Sequence, residues 1–225
     1  MHFFAVVLII CLVVFLFTLY TFSHDDFILL RRDVSMDQVF NLALIASALS
    51  LLSSRVFYVL MHPKPVFLNP LGFIIFPYFP GLSFIGGIVG GLILFIILLR
   101  RRGFPTGRIF DFFSISFLSA LPIGFIGYML LSRNFDPLII SEFFIYLLLL
   151  LIYWFILIPR FIKNSRQDGL LGLIFLLSVS FIATAHNLLA RTKILNVENI
   201  ASLLIFVGAL MIIVRLILKG RVGKK

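Results

Sequence analysis

The sequence predicts an all-α membrane protein, a polytopic bundle of about seven transmembrane helices. Of its 225 residues, 62% are hydrophobic and 12% are charged, whereas soluble domains carry about 25% charged residues. The apolar residues also form runs of about 20, the length at which a helix crosses a hydrocarbon core of about 30 Å. Because backbone groups inside lipid must satisfy one another, we expect these runs to be helices.

The first two runs cover residues 3–22 and 39–61. The first lacks the basic start and the small-residue cleavage site of a signal peptide, so we interpret it as a retained span. It contains Cys11, the only cysteine, which excludes a disulfide framework. The segment 63–80 is apolar but repeatedly interrupted by proline. Proline breaks helices, so we expect a re-entrant or interfacial loop there.

The later runs cover 84–99, 110–131, 138–158, 170–189 and 200–218. No loop is long enough for a soluble domain, so we expect residues 1–225 to be a single membrane domain. Most of the 19 lysines and arginines fall on one side of the spans drawn in this way. The positive-inside rule then places the amino terminus outside and the carboxyl terminus in the cytoplasm. This topology explains the net charge of +10, and no nucleic-acid partner is expected.

Arg55 lies inside the second run, where a cation costs at least about 2.5 kcal/mol. One interpretation is that its planar guanidinium binds the phosphate of an anionic lipid. The other is a structural contact with a buried acid or with backbone carbonyls.

A glycine-rich segment, 81–91, opens the third run. The pairs Gly86/Gly90 and Gly87/Gly91 have the spacing that lets two helices approach closely. The alternative interpretation is a helix start, including Ser83, whose amides bind an anion.

Polar residues also surround the turn between the sixth and seventh runs, namely His186, Asn187, Arg191 and Glu198. They form either a polar pocket at headgroup level or a solvated loop. His62 is predicted to lie on the same side of the membrane. Asp111 begins the fourth run, where a carboxylate caps a helix. The histidines and the cysteine lack metal-ligand spacing and no cofactor fingerprint occurs, so neither metal nor cofactor is expected.

Several motifs, taken in order, resemble prolipoprotein diacylglyceryl transferase, the bacterial inner-membrane enzyme that moves diacylglyceryl from phosphatidylglycerol to a lipobox cysteine. The segment 53–60, SSRVFYVL, is similar to the family's Gly-Gly-Arg helix end. The segment 81–87, GLSFIGG, is similar to its Gly-Met-Ser-Phe-His-Gly-Gly stretch. Asp111 and Phe112 match the Asp-Phe of the next helix, and 122–128 lies where the Gly-Arg-[Leu/Ile]-Gly-Asn signature belongs. The start of the seventh run, 198–202, is similar to that of the family's last helix.

The resemblance implies a bacterial inner-membrane protein whose partners are phosphatidylglycerol, or another anionic phospholipid, and a prolipoprotein. Together with the residue chemistry, it predicts lipid-headgroup binding by Arg55, Ser83, Gly86, Gly87 and Arg191.

Three positions in the motifs depart from the family pattern: Ile85 replaces its histidine, Phe125 its signature arginine and Tyr128 its asparagine. The family's paired arginine and glutamate on the sixth helix also fall near Ala183 or Thr184 and on Asn187. Attack of a thiol on the glyceryl carbon needs a base, and the departing phosphate needs a cation. His186 or His62 is the substitute base that the sequence offers. The expected function is diacylglyceryl transfer, and the alternative is a catalytically inactive relative that binds lipid or acts as a scaffold. A small-solute transporter is the least supported class, since it calls for polar half-helices at the midplane.

Overall fold

The computed structural model describes residues 2–63, 81–132, 136–161, 168–189 and 197–222, and these ranges contain helices and no strand. The first five helices are α1 (His2–Ser23), α2 (Phe27–Arg31), α3 (Met36–Met61), α4 (Phe84–Arg101) and α5 (Thr106–Ser132). They are followed by α6 (Pro137–Ile152), a π-helical turn (Tyr153–Leu157), α7 (Ile158–Phe161), α8 (Leu170–Leu189) and α9 (Val197–Val222).

In the described part of the chain, seven helical stretches are long and apolar enough to cross a membrane. They are Ala5–Ser23, Met36–Met61, Phe84–Arg101, Thr106–Leu131, Pro137–Arg160, Leu170–Leu189 and Asn199–Leu216. The predicted all-α bundle of about seven spans is therefore confirmed, and the chain is a multi-pass membrane protein. The predicted loop 63–80 lies outside the described residues except for Pro63, and the single membrane domain stays a prediction.

Polar caps set the helix starts earlier than the apolar runs indicated. Before α3, the Ser35 hydroxyl accepts a hydrogen bond from the Gln38 amide at 3.3 Å, and the Gln38 side chain accepts one from the Ser35 amide at 3.2 Å. This reciprocal capping box begins the helix at Met36 instead of at the predicted residue 39. The Asp136 side chain caps α6 by accepting a hydrogen bond from the Leu138 amide at 3.1 Å, and Pro137 lies in the first turn, where a missing amide costs nothing.

The fifth span does not close at Pro159 as the sequence predicted. Proline has no amide to donate to the carbonyl four residues earlier. Just before it the chain widens into the π-helical turn, and it then remains helical to Phe161. Tyr153 in this turn is fully buried, and its hydroxyl donates to the Leu171 carbonyl at 2.9 Å. That bond ties the turn to the first residues of α8.

Helix α5 lies at the centre of the bundle and belongs to two hydrophobic cores. One core joins it to α1, α2, α3 and α4, and the other joins it to α6, α8 and α9. The helix pairs that share the most extensive contacts are α3 with α4, α1 with α5, and α8 with α9. The site described below lies at the end of the first of these pairs.

Helices α3 and α4 approach closely through small residues. A Cβ atom added at Gly86 would lie 2.3 Å from the Cβ of Phe57, and one added at Gly90 would lie 2.3 Å from the Cβ of Ser53. Side chains at these two positions would force the helices apart. Close packing, one of the two interpretations of the glycine spacing, is therefore the role that these contacts show.

Candidate functional site

Arg55 lies where the end of α3 meets the start of α4. The residue is only 3% exposed. Its Nη1 donates a hydrogen bond to the Gly81 carbonyl at 2.7 Å, and its guanidinium carbon lies 6.0 Å from the centre of the Tyr58 ring. Arg55 therefore makes the contact with a backbone carbonyl that one of its two interpretations predicted. The other interpretation, a contact with a lipid phosphate, stays a prediction.

His62 continues a row that Arg55 and Tyr58 begin. The three residues have the spacing i, i+3 and i+7, which places them on one face of α3. The rings of Tyr58 and His62 stack with centroids 4.8 Å apart, and His62 is exposed at the helix end. Of the two predicted substitute bases, His62 is the one that shares the Tyr58 ring as a neighbour with Arg55.

Gly81 allows the backbone to pass directly against the Tyr58 ring. Its φ of +149° is a conformation that residues with a side chain rarely adopt. A Cβ atom at this position would lie 2.0 Å from Cε1 of Tyr58. The absence of a side chain therefore lets the Gly81 carbonyl reach Arg55.

Ser83, Gly86 and Gly87 are buried at the start of α4, and their polar groups serve the helix itself. The Ser83 hydroxyl accepts from the Gly86 amide at 3.1 Å, and the Ser83 carbonyl accepts from the Gly87 amide at 2.9 Å. Ser54 of α3 donates its hydroxyl proton to the Ser83 carbonyl at 2.8 Å. The bond from Ser54 holds the two helices together next to Arg55, and the other two bonds engage the Gly86 and Gly87 amides.

An apolar cavity of about 280 Å³ lies among α1, α3, α4, α5 and α8. Leu51 on its wall is one helical turn before Arg55. Ser50, also on the wall, donates its hydroxyl proton to the Gly87 carbonyl at 2.9 Å. The cavity thus offers apolar surface suited to an acyl chain, with a guanidinium one turn beyond it.

The three departures from the family pattern are packing or surface side chains. Ile85 is 5% exposed, Phe125 stacks on Tyr146 with centroids 5.1 Å apart, and Tyr128 is 54% exposed. None of the three lines the 280 Å³ cavity. These positions therefore supply neither an imidazole nor a guanidinium.

His186 lies in a second cavity, of about 440 Å³, between α6, α8 and α9. Its Nδ1 is 3.0 Å from Oε1 of Glu142. Sequence analysis missed Glu142, although a carboxylate within the apolar run 138–158 is itself a signal of pairing or function. Arg191 lies outside the described residues, so its predicted place beside His186 stays a prediction.

At the opposite end of the bundle, a buried ionic cluster joins α2 to α5. Nε and Nη2 of Arg108 donate to Oδ2 of Asp26 at 2.9 and 2.7 Å, and Nη1 lies 3.6 Å from Oδ1 of Asp168. Burial raises the pKa of Asp168, and the positive charge of Arg108 opposes that rise. Sequence analysis missed this cluster because its members are far apart in the chain.

Asp111 caps a different helix from the one predicted. It lies inside α5, which begins at Thr106, and its carboxylate accepts hydrogen bonds from the amides of Gly169 at 2.7 Å and Gly172 at 2.8 Å. These amides belong to the start of α8, where unpaired N–H groups attract a carboxylate. Among the described residues, no group of three histidine, cysteine, aspartate or glutamate side chains is placed to hold a metal ion.

Comparison with known proteins extends the resemblance beyond these motifs. No curated protein matches the sequence. Residues 1–215 match the family of prolipoprotein diacylglyceryl transferase, so the match includes α1, which the motifs quoted above do not reach. It also includes the Arg55 site, both cavities and the ionic cluster. A match over this much of the chain shows that the protein belongs to the prolipoprotein diacylglyceryl transferase family.

Proposed function

We propose that this protein transfers a diacylglyceryl group from an anionic glycerophospholipid, with phosphatidylglycerol as the first candidate, to the lipobox cysteine of a prolipoprotein. The observation that carries the proposal is the row of Arg55, Tyr58 and His62 at the end of α3. This row combines a buried cation with an accessible imidazole, and Leu51, one helical turn before Arg55, lines the apolar cavity. Family membership supplies the reaction type.

In this reaction the cysteine sulfur attacks the glyceryl carbon that bears the phosphate. A C–S bond forms, the C–O bond to the phosphate breaks, and glycerol phosphate leaves. The thiol proton must go to a base, because the thiolate is the nucleophile. We assign this role to His62, because histidine is the side chain that most often serves as a general base.

Arg55 supplies the positive charge that the phosphate needs. A guanidinium matches the geometry of phosphate oxygens and stabilises the charge that develops on the leaving group. The bond from Arg55 to the Gly81 carbonyl holds the side chain in place before the lipid arrives. Ser83, Gly86 and Gly87 act by fixing the start of α4 beside it, and Arg191 stays a candidate for a second phosphate contact.

A lipid-binding or scaffolding relative without transfer activity is the alternative. The apolar side chains of Ile85 and Phe125 favour it, because they replace the family's base and cation. His186 is the less favoured base for transfer, since it lies in the second cavity, whose wall includes no residue of α3 or α4 and therefore not Arg55.

The transfer reaction can be tested with the full-length protein in bilayers of phosphatidylglycerol and a lipobox peptide. We expect a peptide carrying one diacylglyceryl group, detected by mass spectrometry. The change His62→Gln is expected to slow its formation by about 100-fold or more, the contribution of a general base. Bound phosphatidylglycerol should be retained in that variant.

The matched control is His24→Gln, which alters an exposed histidine just after the end of α1. Lipid binding without any modified peptide in the wild-type protein would establish the inactive relative instead. If His62→Gln transferred diacylglyceryl at the normal rate and His186→Gln did not transfer it, the base would be His186 in the second cavity.

We also propose that the protein lies in a bacterial inner membrane with its amino terminus outside and its carboxyl terminus in the cytoplasm. The support is the distribution of lysine and arginine around the spans. In a Cys11→Ala background, Lys64→Cys should react with a thiol reagent that cannot cross the membrane, whereas Lys225→Cys should react only after permeabilisation. The reverse labelling pattern would show that both termini lie on the sides opposite to those proposed.

A further inference from the structure

The 440 Å³ cavity between α6, α8 and α9 has no part in the proposed transfer. Most of its wall is apolar, and four polar residues interrupt it: Ser141, Glu142, Ser178 and His186. Phe181 and Leu189 on the wall are 61% and 68% exposed. On a transmembrane helix such side chains face lipid, so the cavity is accessible from the bilayer.

The two serines of the cavity are available only as hydrogen-bond acceptors. The Ser141 hydroxyl donates to the Leu138 carbonyl at 2.7 Å, and the Ser178 hydroxyl donates to the Ile174 carbonyl at 2.9 Å. A hydroxyl has one proton, and in both serines that proton is already used. Their remaining lone pairs can accept from a ligand.

Glu142 adds further hydrogen-bond acceptors to the cavity. Its side chain is 16% exposed, and an ionised carboxylate can only accept hydrogen bonds. His186 lies close to it, with Nδ1 3.0 Å from Oε1, yet Nδ1 makes no hydrogen bond of good geometry within the described structure. A carboxylate that has lost most of its contact with water needs donors or a cation to offset that loss.

We propose that this cavity binds an amphiphile with a primary ammonium head and an alkyl chain. The ammonium group has three N–H donors and a positive charge, which complement the Glu142 carboxylate and the two serine oxygens. The alkyl chain packs against Phe181 and Phe206. An anionic head would be repelled by Glu142 and would find few donors.

The probe for this site is a photoreactive long-chain primary alkylamine, applied to the full-length protein in phosphatidylcholine bilayers. Phosphatidylcholine has no N–H donor and so competes poorly for the site. We expect crosslinks on peptides from 137–152 and 170–189. Glu142→Gln should lower this labelling by about tenfold or more, the effect of losing a charge-assisted hydrogen bond. Ser178→Ala, a smaller change to the fold, should lower it severalfold.

Asp25→Asn is the matched control, because Asp25 and His24 form an exposed carboxylate–histidine pair with Nδ1 and Oδ1 2.7 Å apart. Its labelling should equal that of the wild type. Competition by phosphatidylethanolamine would identify a phospholipid as the natural source of the ammonium group, and competition by free alkylamine alone would identify a single-chain amphiphile. Equal labelling by an alkyl carboxylate probe of the same length, or unchanged labelling in both variants, would overturn the proposal.

Discussion

Replacing Arg55 with Gln is expected to lower diacylglyceryl transfer by about 100- to 1,000-fold, the usual loss when one group that stabilises developing charge is removed. The same change should remove the preference for phosphatidylglycerol over phosphatidylcholine. A guanidinium favours the net negative headgroup of phosphatidylglycerol over phosphatidylcholine, whose choline cation offsets the phosphate, and glutamine has no charge with which to distinguish them. The measurement is the ratio of the two lipids that remain bound to purified protein from mixed bilayers. Arg55→Lys should give an intermediate ratio, since it keeps the charge and loses the planar donor geometry.

A purely structural role for Arg55 predicts a different result. Arg55 and Ser54 both hold the junction of α3 with α4, through the carbonyls of Gly81 and Ser83. Ser54→Ala is therefore the control, because it weakens the junction without changing its charge. If Arg55 only supports the junction, both variants will lose stability and both will keep the lipid preference. Loss of the preference in Arg55→Gln alone would identify the phosphate contact.

The helices could be predicted from the sequence because each depends on local properties. A run of about 20 apolar residues is long enough to cross a bilayer, and there a helix satisfies its own backbone hydrogen bonds. A close helix approach at α4 was also predictable from the spacing of Gly86 and Gly90, but that its partner is α3 was not. Helix starts were less accurate, since caps such as Ser35 lie outside the apolar runs.

The site was only partly predictable, because it depends on contacts between distant segments. Sequence analysis offered both His62 and His186 as bases on the same side of the membrane. Only the fold shows that His62 stacks on Tyr58, beside Arg55, whereas His186 pairs with Glu142 elsewhere. A pattern read along one chain does not report which side chains from different helices meet.

The ionic cluster at the other end of the bundle gives the largest expected change in stability. Arg108→Met would leave the Asp26 carboxylate, whose side chain is 5% exposed, without the guanidinium that now donates to it twice. Removing one partner of a buried ion pair typically costs about 3–5 kcal/mol. We expect a loss of this size in the free energy of unfolding, measured by denaturant titration in detergent micelles.

The double variant Asp26→Asn with Arg108→Met should recover most of that loss, because the uncompensated charge is gone. Asparagine can still accept from the amides of Ile28 and Leu29, which Asp26 caps at 3.1 Å. Asp26→Asn alone should cost less than Arg108→Met, since Asp168 remains 3.6 Å from the guanidinium. Arg101→Met, at an exposed arginine, is the control and should change stability by less than about 0.5 kcal/mol. If Arg108→Met were no more harmful than this control, the cluster would not be holding α2 against α5.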